Sequence, residues 1–125
     1  MDTNFLMAPF EFRVDVFSEF NRICNFNYKL FVFNRTIEEL KNIIGKQSPK
    51  HRKAAQFALK LIKLKGIGVI KSAQKDVDAL ILDSISNDTI IATQDIRLKK
   101  ELLKKGASVI ILRQKKYLQL VGKGL

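Results

Sequence analysis

The feature that most constrains the fold is a strand–helix–strand pattern late in the chain. Residues 88–93, DTIIAT, contain a compact apolar run, residues 94–106, QDIRLKKELLKKG, have helical spacing and end in glycine, and residues 108–112, SVIIL, form a second apolar run. Two buried strands joined by a helix run parallel in one sheet, and helices cover both faces of such a sheet. The pattern predicts an α/β fold with a central, mainly parallel sheet.

The same alternation extends through the rest of the chain. We expect strands within residues 3–7, 29–34 and 68–72, with Pro9 ending the first of them, and residues 117–122 forming one more strand or a packed end. We expect helices within residues 12–25, 36–46, 48–66 and 73–87. Thr36 and Glu39 have the spacing of a capping box, and Gly45 stands where that helix would stop.

Length and composition indicate one globular domain, residues 1–125. The hydrophobic content of 46% is enough for one core. Charged residues interrupt each apolar stretch before the roughly 18 residues of a membrane span, and no signal segment opens the chain, so we expect a cytoplasmic protein without a membrane partner. The single cysteine, Cys24, excludes an internal disulfide and is expected to be a small core residue.

The net charge of +11 indicates a polyanionic partner such as nucleic acid. Between Leu40 and Lys75 there is no Asp or Glu, while lysine and arginine recur throughout that window. A second basic group runs through residues 97–105. The alternative is a lysine-rich surface of a heat-stable protein, but such surfaces usually balance lysine with glutamate. The charge pattern therefore favours binding of a phosphate backbone.

Acidic residues are placed at the predicted strand ends. Asp2 adjoins the first strand, Glu39 follows the second, Asp78 follows the third and Asp95 follows the strand at residues 88–93. Each one alone is more typical of a helix cap than of a ligand. Taken together they would meet at one sheet edge, where four carboxylates repel one another unless cations bind between them. Oxygen ligands of this kind suit Mg²⁺ or Mn²⁺.

These motifs, in this order, resemble the PIN-domain family. The opening DTNFLM at residues 2–7, EEL at 38–40, VDALI at 77–81 and the long segment IIATQDIRLKKELLKKGASVIILRQK at 90–115 carry the resemblance. The last segment is most similar to an archaeal group related to the rRNA-processing PIN proteins of eukaryotes, and the whole is similar in kind to VapC-type toxins. In the family, several apolar residues precede the first aspartate, whereas here Asp2 directly follows Met1.

The resemblance implies a three-layer α/β/α domain and a Mg²⁺- or Mn²⁺-dependent endoribonuclease. The similarity of residues 90–115 favours a role in processing rRNA or other RNA. The family resemblance also implies that Asp2, Glu39, Asp78 and Asp95 are catalytic metal ligands, with Asn4 and Thr93 as polar support near the pocket. Glu38 is the alternative to Glu39, because adjacent helical residues point about 100° apart and one of the two should face the site. Asp76 is a possible extra ligand that we interpret as a helix cap.

The expected partner is RNA, and we expect basic side chains to guide its backbone to the carboxylates. The residues assigned to this role are Lys50, Arg52, Lys53, Lys60, Arg97, Lys99 and Lys100.

Three other interpretations stay open from the sequence. The first is a nonenzymatic RNA-binding factor of ribosome assembly, the second a toxin with an antitoxin partner, and the third a structural protein whose acidic residues are caps. The family resemblance also suggests a homodimer. We expect six phenylalanines of the amino-terminal third to be core residues and not platforms for base stacking; they are Phe10, Phe12, Phe17, Phe20, Phe31 and Phe33.

Overall fold

The computed structural model describes residues 1–46, 48–72, 77–83, 85–86 and 88–122, with the side chains of residues 77, 78 and 83 left out. The described residues form helices alternating with short strands. In chain order they are α1 (Thr3–Phe12), α2 (Val16–Ile23), β1 (Phe31–Phe33), α3 (Asn34–Lys46), α4 (Pro49–Leu64), β2 (Gly68–Ile70), α5 (Val77–Asp83), β3 (Ile90–Ala92), α6 (Ile96–Lys104), β4 (Ser108–Arg113) and β5 (Tyr117–Val121).

The predicted parallel pairing is present, and the described residues form an α/β fold. β1 pairs in parallel with β2, and β3 pairs in parallel with β4. β5 returns antiparallel along β4, so the tail predicted as a strand or packed end is a strand. Among the described residues, the strands form two hydrogen-bonded groups, β1–β2 and β3–β4–β5.

The amino terminus lies between these two groups. The backbone nitrogen of Met1 donates to the carbonyl oxygen of Phe31 on β1 at 3.3 Å. The backbone N–H of Asp2 donates to the carbonyl oxygen of Ala92 on β3 at 3.1 Å. Two residues therefore bridge the groups, and Asp2 is held at the end of β3 although few apolar residues precede it.

The predicted strand at residues 3–7 is wrong, because these residues open helix α1. Phe5, Leu6, Met7 and Ala8 are all buried, so α1 is a helix surrounded by core on most sides. A short continuous apolar run suits a buried helix as well as a buried strand, so its pattern alone does not separate the two. Pro9 lies inside the helix and does not end it.

The starts of two other helices also differ from prediction. α3 begins at Asn34, so Thr36 lies inside the helix and forms no capping box with Glu39, and Gly45 lies within the helix and does not end it. α2 begins only after Asp15, whose side chain accepts a hydrogen bond from the backbone of Ser18 at 3.1 Å. By contrast, α4 and α6 lie where the sequence predicts them, since Pro49 and Asp95 mark their first turns.

Among the described residues, the core consists of three clusters of buried side chains. The first lies among α1, α3 and α4, the second lies between α2 and β5, and the third lies between α6 and the β3–β4 pair. Cys24 is buried, as predicted. Phe10 and Phe31 were expected in the core, but they are 39% and 46% exposed. In the part of the chain that is described, no helix is long and apolar enough to cross a bilayer.

Candidate functional site

Asp2 is a buried carboxylate at the start of α1. Its side chain is 6% exposed, and its Oδ1 accepts a hydrogen bond from the backbone N–H of Phe5 at 2.8 Å. That bond makes Asp2 the N-cap of α1, where the free N–H groups and the helix dipole stabilise a negative charge. One carboxylate oxygen of Asp2 therefore caps helix α1, while the other oxygen faces the end of β3.

Thr93 joins Asp2 to the end of β3. Thr93 is fully buried, and its Oγ1 donates a hydrogen bond to Oδ2 of Asp2. The backbone N–H of Thr93 donates to the carbonyl oxygen of Ile110 on β4 at 3.0 Å, which holds this residue against the neighbouring strand. Thr93 thus contacts Asp2 directly, and its role as polar support near a metal pocket stays a prediction.

Asp95 lies two residues beyond Thr93, at the start of α6. Its backbone N–H donates to Oγ1 of Thr93 at 3.0 Å. Its Oδ1 accepts from the backbone N–H groups of Arg97 and Leu98 at 2.9 and 3.1 Å, so Asp95 is the N-cap of α6. Oδ2 accepts no hydrogen bond from any residue that the structure describes. A capping role for one oxygen and a ligand role for the other are therefore compatible.

The electrostatics of Asp2 reflect its burial and its neighbour. Burial raises the pKa of the Asp2 carboxyl above its ordinary value of 3.8, because the charged form loses hydration. The hydrogen bonds from Thr93 and Phe5 and the nearby terminal ammonium lower that pKa in part, and the negative charge of Asp95 raises it further. Asp2 and Asp95 thus lie close enough to repel each other, and a cation beside them would relieve the repulsion.

Glu39 is brought to the same end of α1 by Thr3. Oγ1 of Thr3 donates a hydrogen bond to Oε1 of Glu39, which is half-buried on α3. Glu38 is exposed and forms an ion pair with Arg35 one helical turn earlier. Of the two adjacent glutamates, Glu39 is therefore the one directed at α1, and its role as a ligand stays a prediction.

Sequence reasoning missed Thr3, which positions Glu39. The sequence does contain a signal for this role, because Thr3 directly follows the N-cap aspartate and therefore projects from the first turn of helix α1. The prediction of a strand over residues 3–7 gives Thr3 no such role.

Three other residues predicted for this site are Asn4, Asp76 and Asp78. Asn4 is exposed on α1. Asp76 and the side chain of Asp78 lie outside the described residues. Among the side chains that are described, no three histidine, cysteine, aspartate or glutamate residues lie close enough to hold a metal ion. The described part of the site is thus a carboxylate pair, Asp2 and Asp95, with Glu39 linked to it through α1.

The predicted RNA-binding side chains lie on two helices. Four of them are exposed along α4, and three lie on the first turns of α6, whose N-cap is Asp95. Arg97 is 3.5 Å from Glu101 in an ion pair open to solvent, which contributes little to stability. Of the seven, six are exposed and Lys99 is half-buried; the exposed ones are Lys50, Arg52, Lys53, Lys60, Arg97 and Lys100.

Known proteins resemble this chain over nearly its whole length. The model of a family described as a PIN-like domain matches residues 1–115, a span that includes both Asp2 and Asp95. Ribonuclease VapC4 of Methanocaldococcus jannaschii is 28% identical over 123 residues, which cover 97% of this chain and 94% of that protein.

Proposed function

The chain belongs to the PIN-like domain family, and we propose that it is a metal-dependent endoribonuclease that hydrolyses RNA phosphodiester bonds. The observation that carries the proposal is the pairing of Asp2 and Asp95 through Thr93 at the end of β3. A fold that needed only helix caps has no reason to bury one carboxylate and set a second close enough to raise its pKa. A buried carboxylate with a raised pKa, such as Asp2, is typical of functional sites.

The ligand atoms that this site offers are of the type that hard divalent cations bind. They are carboxylate oxygens, and Oδ2 of Asp95 has no competing hydrogen bond from a described residue. We assign Asp2 and Asp95 as residues that would hold Mg²⁺ or Mn²⁺; the family resemblance is the basis for adding Glu39 and Asp78, since Glu39 does not form one described cluster with the other two. When bound, the ion would neutralise charge on the phosphate and lower the pKa of water at the site.

The side chains of the protein supply the remaining functions. Thr93 holds the Asp2 carboxylate by a hydrogen bond, and Thr3 orients Glu39. The N-terminus of α6 places its dipole beside Asp95, which stabilises the negative charge of that carboxylate. The exposed lysine and arginine residues of α4 and α6 would attract the RNA backbone.

We favour a toxin-type ribonuclease as the biological role, because the similarity to ribonuclease VapC4 covers almost the full length of both proteins. This role implies an antitoxin partner. Processing of rRNA is the alternative, supported by the sequence of residues 90–115. Growth arrest on expression, relieved by co-expression of a neighbouring gene, would support the toxin role, and growth without arrest would support the processing role.

The enzymatic claim is tested with purified protein and a labelled single-stranded RNA. We expect cleavage with Mn²⁺ or Mg²⁺, none with excess chelator, and recovery when the metal is restored. Salt-sensitive RNA binding with no cleavage under any metal would instead support a nonenzymatic RNA-binding factor. Sedimentation of the same sample tests the proposed homodimer.

A further inference from the structure

One face of α4 carries lysine residues around an exposed aromatic side chain. Lys50, Lys53, Phe57 and Lys60 follow one another at spacings of three and four residues, so they lie along one side of the helix. All four are exposed. We call them the outer stripe of α4. The opposite side of the helix is buried, so the stripe is the face that α4 presents to solvent; the buried residues are Ala54, Ala55, Ala58 and Ile62.

Phe57 does not stand alone in the stripe. α1 packs against α4, and the rings of Phe10 and Phe57 lie with their centroids 5.8 Å apart at an interplanar angle of 50°. Phe10 is 39% exposed and Phe57 is 38% exposed. Single exposed apolar residues are ordinary on protein surfaces. A pair of exposed aromatic rings between lysines is a more specific arrangement, since planar rings beside cations are what proteins use to hold unpaired nucleotides.

The positive charge of the outer stripe indicates which class of molecule could bind there. α4 contains no acidic residue, and the chain carries a net charge of +11. A second copy of the chain would therefore bring like charges together at this face. A polyanion with exposed planar groups matches both the lysines and the rings. Duplex RNA presents its phosphates but keeps its bases stacked inside, so it matches the lysines alone.

We propose that Phe57, supported by Phe10, is a base-stacking subsite for an unpaired stretch of RNA whose phosphates contact Lys53 and Lys60. The inference rests on the proposed ribonuclease function and adds to it a place on α4 and α1 where an unpaired base of the RNA would stack. α1 connects the subsite to the carboxylates, because Phe10 lies eight residues beyond Asp2 in the sequence, about 12 Å along a helix. A short single-stranded segment spans that distance.

The chain contains no tryptophan, which makes a direct optical test available. In the Asp95→Asn background, where RNA should stay intact, Phe57→Trp places a single indole in the stripe. We expect single-stranded RNA to quench its emission in a saturable titration without added metal. Inorganic polyphosphate and blunt duplex RNA, which offer no unpaired base, should leave the emission nearly unchanged. Binding of labelled single-stranded RNA with no change in tryptophan emission would overturn the proposal.

A matched pair of variants separates stacking from general apolar contact. Phe57→Leu keeps an apolar side chain but removes the ring, and it should weaken single-stranded RNA binding roughly 5- to 100-fold. Phe57→Tyr keeps the ring and should retain the affinity. Val69→Ala is the control, since Val69 is 44% exposed on β2 and lies outside α4. Equal affinities for Phe57→Leu and Val69→Ala would contradict the proposal.

Two readouts keep this proposal distinct from the nuclease assignment. Emission quenching by RNA in a protein that cleaves nothing would support the subsite and reject the enzyme. Cleavage that is unaffected by Phe57→Leu, with the same KM for single-stranded RNA, would support the enzyme and reject the subsite. Quenching by an acidic polypeptide such as polyglutamate and not by RNA would show that the stripe binds a protein partner, and would overturn the proposal.

Discussion

Thr93 and Asp2 are 91 positions apart in the sequence and are joined by a hydrogen bond from the threonine hydroxyl to a buried carboxylate oxygen. The same threonine oxygen accepts the backbone N–H of Asp95 at 3.0 Å. One side chain thus ties the N-cap of α1 to the N-cap of α6. The two carboxylates of the candidate site are held together by a residue that is itself neither acidic nor exposed.

The first prediction concerns this link. Thr93→Val keeps the shape of the side chain but leaves Oδ2 of Asp2 and the N–H of Asp95 without their partner. Unpaired buried polar groups are costly, so we expect the free energy of unfolding to fall by about 1–3 kcal/mol in urea denaturation. RNA cleavage should fall as well, because the position of Asp2 depends on the same bond.

The chain contains a matched control for that substitution. Thr36 is also fully buried, and its hydroxyl has no hydrogen-bond partner among the described residues. Thr36→Val removes a polar group that gains nothing from its surroundings, so it should leave stability unchanged or raise it. Equal losses for Thr36→Val and Thr93→Val would mean that the hydrogen bond to Asp2 contributes nothing to the fold.

The second prediction concerns pH. Burial, with a further contribution from Asp95, raises the pKa of Asp2 above 3.8, so the folded state binds a proton more tightly than the unfolded state does. The resulting stabilisation is complete below pH 3.8 and is lost as pH rises through the raised pKa. Asp2→Asn keeps the cap but cannot ionise. In chelator, the melting temperature of this variant relative to the unmodified chain should therefore increase with pH.

Asp15 provides a contrast of opposite sign. Hydrogen bonds from Ser18 lower the pKa of Asp15, so its stabilisation is present above pH 3.8 and is lost as pH falls through the lowered pKa. Relative to the unmodified chain, Asp15→Asn should gain melting temperature as pH falls. A pH-independent difference for Asp2→Asn would show that Asp2 is not a buried, destabilised carboxylate.

The third prediction separates two adjacent glutamates. Glu39 is half-buried beside Thr3, whereas Glu38 is exposed and paired with Arg35. We expect Glu39→Gln to reduce metal-dependent RNA cleavage severely and Glu38→Gln to leave it close to that of the unmodified chain. Each variant removes one negative charge from α3, so net charge cannot explain a difference. Loss of cleavage in Glu38→Gln alone would reverse the assignment.

The fourth prediction concerns the basic residues of α4. Each lysine or arginine that neutralises a phosphate of single-stranded RNA contributes about 0.7 to the slope of log affinity against log salt concentration. Changing Lys50 and Arg52 together to glutamine should therefore reduce that slope by about 1.4 in a salt titration of RNA binding. Changing Lys29 and Lys116 together removes the same charge from exposed positions outside the proposed path. The second pair should leave the slope unchanged, and identical slopes would contradict the path.

The sequence predicted best where a pattern extended over many residues. The strand–helix–strand unit of β3, α6 and β4 has clear boundaries, since Asp95 caps the helix and Gly106, with φ of +82°, follows it. Asp2 meets Asp95 for a reason other than the predicted one, because Asp2 caps helix α1 and is held at the end of β3 by its own backbone N–H and by Thr93. The ligand role of Asp78 stays a prediction.

Other features depend on contacts that no local pattern records. Residues 3–7 are apolar in a way that suits a strand or a buried helix, and the packing of α1 against α3 and α4 decides for the helix. The exposure of Phe10 likewise depends on where α1 ends relative to α4. The sequence does not reveal the hydrogen bonds by which Met1 and Asp2 join the two strand groups, because two residues are too few to show the periodicity of a strand.

The most direct test of the central claim is RNA cleavage by Asp95→Asn. Asparagine keeps the N-cap of α6, so the variant should fold and bind RNA as the unmodified chain does, while it removes the charge that a divalent cation would need. With Mn²⁺ and single-stranded RNA, we predict loss of metal-dependent cleavage at unchanged RNA affinity. Cleavage at the full rate in a folded Asp95→Asn protein would contradict the assignment of this site.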